Sequence, residues 1–357
     1  MLRDNQYDIL YDPILGRAMR ISTFEALDLA TLLLRQRGVP PAHADLQAAV
    51  LVGAERKGHP SHGLQRLPRL LLRIERGLID PVTEGTFVWR GAAFLAGEGE
   101  NGLGPVVGEK AIGLLAGRIA DTGIAVAAVR NANHLGMLAH YVERIAAHGC
   151  IGLALSSSEA LVHPHGGTRA LLGTNPVAVA VPVAGAPPFV VDLATSIVSM
   201  GKVHHYAATG AALEPGWAKD GDGRPTTDAV RAKAGAIAPF GGAKGYALGL
   251  AFELLVAALA DSVLAPDVAG TLDAERPCNK GDVFIMIDAR RSAGIAGRLA
   301  TYLNVLRASE PETAGVPVSV PGDGARRRAE RADRDGFEIA PALLAALHDL
   351  SRAGCPA

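Results

Sequence analysis

Ser61-His62-Gly63-Leu64-Gln65-Arg66 places three polar, chemistry-bearing side chains among apolar ones. On a helix opening here, Ser61 takes the N-cap position. His62 and Arg66, four apart, then fall one turn apart on one face. Leu64, Leu67, Leu70, Leu71 and Leu72 supply the buried side of the same helix. A titratable imidazole beside a guanidinium can donate a proton while the guanidinium grips a carboxylate. The same residues also read as a capped surface helix with an incidental histidine, and a motif match alone is only a hypothesis.

Upstream, Ser22 and Glu25 have the spacing of a capping box. The helix they open, about 23–37, ends at Gly38 with Pro40 and Pro41 beyond. A second helix spans about 42–57, and Gly58-His59-Pro60 breaks it. Residues 22–76 therefore form a small helical unit. Residues 1–20 read as an extension, and Tyr7, Ile9, Leu10, Tyr11 and Ile14 suggest that it packs on something.

Downstream of Pro81 the pattern alternates. Strands are expected at 86–96 and 123–130, with helices at 104–121 and 135–148. Residues 151–157 and 177–183 are apolar with little alternation, as for strands covered on both faces. A short strand follows at 189–193 and a helix at 194–206. Residues 209–242, rich in Gly, Pro and Asp, form a long excursion of a kind that is often functional. Then come a helix at 244–262, a strand at 282–288, a helix at 292–309, an extended piece at 316–320, a turn at Pro321-Gly322-Asp323-Gly324 and a last helix at 339–352.

The 357 residues suffice for two domains or one large one, and 49% hydrophobic with 20% charged residues is a globular composition. A net charge of -1 leaves no basic footprint for nucleic acid. Arg326-Arg327-Arg328 is offset by Glu330, Asp333 and Asp335 and reads as a mixed solvated segment. Cys150, Cys278 and Cys355 make neither a disulfide framework nor a metal spacing, so a reducing compartment is expected. The N-terminal stretch has no apolar core of a signal peptide. Residues 247–260 are too short to span a bilayer comfortably and carry Glu253. These readings point to a cytoplasmic protein without a membrane partner.

Several stretches carry competing readings. Gly97-Glu98-Gly99-Glu100-Asn101-Gly102 matches G-x-G-x-x-G in a strand–turn–helix–strand context. Against a dinucleotide role, the second strand ends at Arg130-Asn131 with no acid for a ribose, and Glu98 and Glu100 repel a pyrophosphate. A glycine-rich turn is the plainer reading. His134, in Asn131-Ala132-Asn133-His134-Leu135-Gly136, lies where a strand feeds a helix and is either a ligand contact or structural. Gly173-Thr174-Asn175-Pro176 is a turn. Asp192 ends the apolar run Phe189-Val190-Val191 and needs a partner, a helix cap at 194–196 or a histidine. Gly241-Gly242-Ala243-Lys244-Gly245 is an anion site at a helix start or a flexible loop, and it is not a Walker A motif. His163, His165, His204 and His205 have no metal-ligand spacing, so no metal site is expected.

Taken together, SHGLQR at 61–66, NANHLG at 131–136, LGTNP at 172–176, FVVDLATS at 189–196, GWAKDGDGRPTTD at 216–228, GGAKGYALGL at 241–250 and VPGD at 320–323 resemble the type 2 malate/L-lactate dehydrogenases. That family also takes in ureidoglycolate dehydrogenase, diketogulonate reductase and Δ1-piperideine-2-carboxylate reductase. The matches run in the family's order over roughly 22–340.

The resemblance implies an α/β (α+β) fold. A non-Rossmann NAD(P)-binding sheet-and-helix domain spans 81–290, and a helical domain is built from 21–80 and a returning segment at 291–357, with 1–20 as an extension. It implies a homodimer, NAD or NADP as cofactor, and a small-molecule carboxylate as substrate. His62 matches the proton donor, with Ser61 and Asp192 coupled to it, and Arg66 and His134 match substrate contacts. His134, Pro188, Phe189, Val190, Val191, Asp192, Leu193, Ala194, Ala243, Lys244, Gly322, Asp323 and Gly324 match cofactor contacts. Asp323 stands where the family often has Glu, and Ser156-Ser157-Ser158 where Asn is frequent.

The expected reaction is hydride transfer from NAD(P)H to a small 2-oxo acid or cyclic 2-imino acid, or the reverse oxidation of a 2-hydroxy acid. The imidazolium supplies the proton, a nearby carboxylate favours its charged form, and Arg66 anchors the α-carboxylate. A non-catalytic cofactor- or metabolite-binding relative and a Rossmann dehydrogenase using 97–102 are the alternatives.

Overall fold

The structure is a computed structural model that describes residues 19–291 and 295–354. The extension read at 1–20 lies, but for its last two residues, outside the described residues, as does Cys355.

The first elements are β1 (Met19–Ile21), α1 (Thr23–Arg35), α2 (Pro41–Arg56) and α3 (Leu67–Glu75). The capping box forms as read. Ser22 Oγ accepts the Glu25 N–H at 3.1 Å, and Glu25 Oε2 accepts the Ser22 N–H at 3.0 Å. Pro41 opens α2, where its missing N–H has no cost.

The central sheet takes β2 (Thr86–Trp89), β3 (Phe94–Glu98), β4 (Ile124–Arg130), β5 (Cys150–Ser156), β6 (Val177–Val183) and β7 (Ala186–Leu193). Between them run α4 (Gly104–Thr122) and α5 (Ala139–Ala147). Beyond β7 lie α6 (Met200–Thr209), β8 (Ala218–Lys219), β9 (Pro225–Thr226), α7 (Ala229–Ala232), β10 (Ala236–Ile237) and α8 (Ala243–Ala260). Then follow β11 (Gly281–Asp288), α9 (Ile295–Arg307), α10 (Asp323–Asp335), β12 (Phe337–Ile339) and α11 (Pro341–Ala353).

The seven-stranded sheet has the order β2-β3-β4-β11-β5-β6-β7. β3 and β4 pair in parallel across α4, and the other neighbours are antiparallel. One face buries Ala127, Val129, Ala154, Phe284 and Met286 with residues of α4 and α5. The other buries Ala128, Leu155 and Val283 against Val256 and Ala260 of α8. Both faces are covered, which explains the weak alternation along β5 and β6. A separate core joins Leu29, Leu33, Leu51, Leu64, Leu67 and Leu71 to Phe337, Ile339, Leu343 and Leu347. There β1 pairs antiparallel with β12, Ile21 opposite Phe337.

Several expectations change. The strand at 86–96 is a hairpin of β2 and β3, turned through Gly91 at φ 155°. The helix at 135–148 starts only at Ala139. The helix at 194–206 starts at Met200, because Ser199 caps it while Ile197 N–H donates to Ala238 O. The excursion at 209–242 is an ordered unit, with β10-β8-β9 and a core of Val203, Leu213, Ala218, Ala229, Ala232 and Ile237. α10 has no signature in the sequence, since DGARRRAERADRD buries only Asp323 and Ala332 and offers no apolar period.

The glycine-rich turn at 97–102 does join β3 to α4, but its space is taken by the chain itself. A Cβ on Gly99 would lie 2.7 Å from the backbone of Ala132, and one on Gly104 would meet the carbonyls of Asn133 and His134. Glu98 is held by Arg130 Nε at 2.8 Å and Asn131 Nδ2 at 2.8 Å. α8 is long and apolar enough, by length and composition, to cross a membrane. Within the fold its Glu253 is buried and accepts N–H bonds from Gly173, Asn175 Nδ2 and Ala265 at 2.8–3.0 Å.

Candidate active site

The SHGLQR stretch does not open an α-helix as expected. It forms two short 3₁₀ turns, Pro60–His62 and Leu64–Arg66, and α3 begins at Leu67. Gly63, at φ -99° and ψ -147°, is the joint between them. Ser61 is therefore no N-cap, and its Oγ lies 3.0 Å from His62 Nδ1. Glu55, at the end of α2 and 8% exposed, fixes the joint. Its Oε1 accepts the Leu64 N–H at 2.8 Å, and a side chain on Gly63 would collide with that carboxylate. Burial raises the Glu55 pKa to about 7, against the lowering pull of the Leu64 N–H.

Two histidines meet above this joint. The rings of His62 and His134 stack with centroids 5.5 Å apart and planes 30° apart. His134 Nδ1 accepts the Gly136 N–H at 3.0 Å, so its ring proton sits on Nε2. Burial, then Arg66, His62 and Lys280, hold its pKa well below 6.5. Burial, then Arg66 and His59, lower His62 to about 3. The expected carboxylate that keeps His62 charged is not what the structure shows, since cations and desolvation dominate its surroundings. Arg66 Nε donates to Ser61 O at 2.7 Å, which ties the second turn to the first.

Asp192 takes a third course. It caps neither 194–196 nor a histidine, and its Oδ2 accepts the Ala139 N–H at the start of α5 at 2.7 Å. Burial raises its pKa to about 6, against that hydrogen bond.

Two cavities lie near the histidines; His134 lines the smaller, and His62 is among the lining residues of neither. A cleft of ≈ 790 Å³ lies between β7 and α10. Pro188, Val190, Val191 and Asp192 form one wall, Gly322 and Gly324 the other; Arg326, Arg328 and Lys57 bring positive charge, Lys57 being paired with Glu143 of the same lining, while burial, Arg328 and Lys57 hold the His59 pKa below 6.5. Gly322 has φ 93°, and a Cβ there would lie 3.0 Å from Val190 O. A narrow, glycine-walled cleft with cations suits the phosphates and rings of a dinucleotide. The second cavity, ≈ 30 Å³, is lined by Arg66, Arg69, Arg73, Asn133, His134 and Gln47, among others.

The structure thus brings Pro188, Val190, Val191, Asp192, Gly322 and Gly324 together, while Phe189, Leu193 and Ala194 are not among the residues lining the cleft. Asp323 does not face it either. Its carboxylate accepts from Arg307 Nε and Nη2 at 2.8 and 2.9 Å, Arg326 Nη2 at 3.0 Å and Val320 N–H at 3.1 Å. These donors hold its pKa far below the usual range. Ala243 and Lys244 are exposed at the start of α8 and do not line the cleft. Sequence reasoning missed Glu55, His59 and Gln47, which lie on or just after α2 and reach the site only through its packing. His59 carried a signal, three residues before His62.

The malate/L-lactate dehydrogenase family model matches residues 21–348. A dehydrogenase of known structure from Sinorhizobium meliloti superposes with a TM-score of 0.91 at 56% identity, covering 94% of this chain and 98% of that one. The L-sulfolactate dehydrogenase of Methanocaldococcus jannaschii is 36% identical over 310 residues, 86% of this chain and 89% of its own. The Δ1-piperideine-2-carboxylate reductase of Pseudomonas syringae pvar. tomato superposes with a TM-score of 0.84 at 32% identity, covering 93% and 99%. The chain belongs to the malate/L-lactate dehydrogenase family of NAD(P)-dependent oxidoreductases.

Proposed function

We propose that the protein reduces a small 2-oxo acid or cyclic 2-imino acid with NAD(P)H, and oxidises the matching 2-hydroxy acid in reverse. The observation that carries this reading is the place of His62. It stacks on His134 and is close enough to His59, which lines the cleft, and to Arg66, which lines the small pocket, for both to lower its pKa.

In this reading Pro188, Val190, Val191 and Gly322 would hold NAD(P)H, which would supply the hydride. Arg66 anchors the substrate α-carboxylate, and orientation of the reacting carbon follows from that grip. The Nε2–H of His134 donates to the substrate. His62 gives the proton to the carbonyl or imine heteroatom, with Ser61 Oγ at 3.0 Å as the group that holds its Nδ1. An anionic substrate offsets the repulsion of Arg66 and His59, so proton uptake by His62 is coupled to substrate binding. Asp192 serves the cofactor side of the same centre, poised near pH 6 within the cleft.

A non-Rossmann cofactor domain at 81–290 is supported by the plugged turn at 97–102 and by a cleft built on β7. A helical domain from 21–80 and 291–357 is supported by the core that joins Leu33 and Leu51 to Phe337 and Leu347. Leu248, Leu254, Leu255 and Leu259, exposed on α8, support a homodimer. The free, buried Cys150 and Cys278 agree with a cytoplasmic setting.

The test is NADH and NADPH oxidation at 340 nm against 2-oxo acids, with and without ammonia or methylamine, and against Δ1-piperideine-2-carboxylate. Turnover of free 2-oxo acids, or of the cyclic imine or amine-supplemented mixtures, is expected. Cofactor binding with silence across the whole panel would sink the reading.

A further inference from the structure

The chain from 268 to 280, between a short 3₁₀ turn at Ala265–Asp267 and β11, contains no helix or strand. Gly270 and Thr271 near its start are nevertheless buried and line the small pocket. Buried backbone groups need partners, and an irregular segment has no ladder to supply them. Here side chains supply them from two sides.

The carbonyls go to α3. Arg69, Arg73 and Arg76, spaced four and three apart, share one face of the helix and its C-cap. Arg69 donates to Leu272 O, Arg73 to Asp273 O at 2.8 Å and Arg276 O at 3.0 Å, and Arg76 to Ala274 O at 2.8 Å. Some N–H groups are taken within the segment. Asp273 accepts those of Gly270, Glu275 and Arg276, and Asn279 Oδ1 that of Ala269. The N–H groups of Thr271 and Leu272 go to one carboxylate outside it, Glu159, just past the end of β5. Glu159 Oε1 accepts both, at 2.8 and 2.9 Å, and Oε2 accepts the Thr271 hydroxyl. Glu159 thus grips a pocket-lining residue by its backbone and its side chain, and the steps above give it no other task.

We propose that Glu159 is a positioning residue that fixes Gly270 and Thr271 as a rigid wall of the small pocket, and that this wall limits the length of the acid chain the pocket admits. The inference rests on the reading that a 2-oxo acid binds there. The other lining residues belong to α2, α3 and the turn before it, to Ile79 and to Asn133 and His134. Behind the wall there is no slack, since a Cβ on Gly270, at φ 80°, would lie 2.5 Å from Pro277 O. The pocket, ≈ 30 Å³, has room for a group of few atoms. A longer chain must push Thr271 back, against charge-assisted hydrogen bonds to Glu159.

The test pairs two measurements. One is hydrogen exchange at Thr271 and Leu272, read by mass spectrometry on peptides covering 268–276. The other is the ratio of kcat/KM for pyruvate to that for 4-methyl-2-oxopentanoate. Glu159→Leu removes the acceptors at similar size. It is expected to speed exchange about tenfold or more. It should also cut the preference for pyruvate about tenfold or more, through the KM of the longer acid. Glu159→Gln keeps Oε1 for both amides, and the Thr271 hydroxyl can turn to accept from the new NH₂, so this variant restores both readouts. Glu159→Asp, too short to reach both amides, covers the case in which the leucine variant fails to fold. Exchange unchanged overturns the strap, and faster exchange with an unchanged preference overturns the wall as a determinant of specificity. A wild type silent on all 2-oxo acids fails the proposed function. Calorimetric Kd values for lactate and 2-hydroxy-4-methylpentanoate, with NAD(P)⁺ present, then decide the wall, and equal ratios in wild type and variant, or binding of neither, overturn it.

Discussion

The cleft and the pocket are built from opposite materials. The cleft, ≈ 790 Å³, is walled by strand β7 and by glycines 322 and 324. The pocket, ≈ 30 Å³, is walled by long side chains from α2, α3 and the preceding turn. A wall of strand and glycine fixes shape and accepts a flat, extended ligand with few side-chain demands. A wall of guanidinium, imidazole and amide groups fixes charge and hydrogen-bond polarity. In the function proposed above, the cleft serves the cofactor and the pocket the substrate, with His62 near His59 of the cleft and stacked on His134 of the pocket.

Three substitutions press on that contrast. The largest effect belongs to His62. His62→Ala is expected to lower kcat by about 10²-fold or more with both cofactor and substrate still bound, as for a lost general acid. Near-wild-type turnover would remove His62 from the role. Next comes the cleft. Gly322→Val forces a branched side chain into a left-handed backbone at φ 93°, beside Val190 O. It should raise the KM for NAD(P)H about tenfold and leave the substrate KM within about twofold, given a strain of roughly 1–2 kcal/mol. Equal rises in both KM values would show that the two cavities are one site.

The third effect, on stability and not on turnover, lies beneath both. Glu55 has a folded pKa of about 7 against 4.5 for the free side chain. The folded state therefore holds its proton more tightly than the unfolded one. Its contribution to stability is fully present below pH 4.5 and is lost as pH rises towards 7. The loss is on the order of 3 kcal/mol as an upper bound. Glu55→Gln keeps the acceptor for the Leu64 N–H and does not titrate. Its melting temperature relative to wild type should climb between pH 5 and pH 8, and a pH-independent difference would contradict the assignment.

Much of the site was legible because its pieces are local. Ser61, His62 and Arg66 lie within six residues, the apolar run before Asp192 reads as a strand, and Gly322 and Gly324 announce a tight turn. The partners were not legible. Asp192 finds the amide of Ala139, fifty-three positions away, because β7 packs against the start of α5. Asp323 looked like a cofactor contact in a turn, yet Arg307 of α9 and Arg326 claim it. Ser61 looked like a cap, and a glycine between two prolines, Pro60 and Pro68, broke the helix it would have begun. α10 escaped because its sequence is almost wholly polar, so the position of one wall of the cleft depends on tertiary packing and not on a local pattern.

The pairing of β1 with β12 has a consequence for synthesis. Arg20 and Asp335, bonded through the Arg20 side chain, are 315 residues apart. Leu29, Leu33 and Leu51 leave the ribosome early, and their partners Phe337, Ile339 and Leu347 leave it late. At about 5–20 residues per second the interval is on the order of tens of seconds. Through that interval the apolar faces of α1 and α2 lack the segment that covers them, while the central sheet between is completed. The helices that carry Gln47 and Glu55 are thus made long before the segment that completes their core.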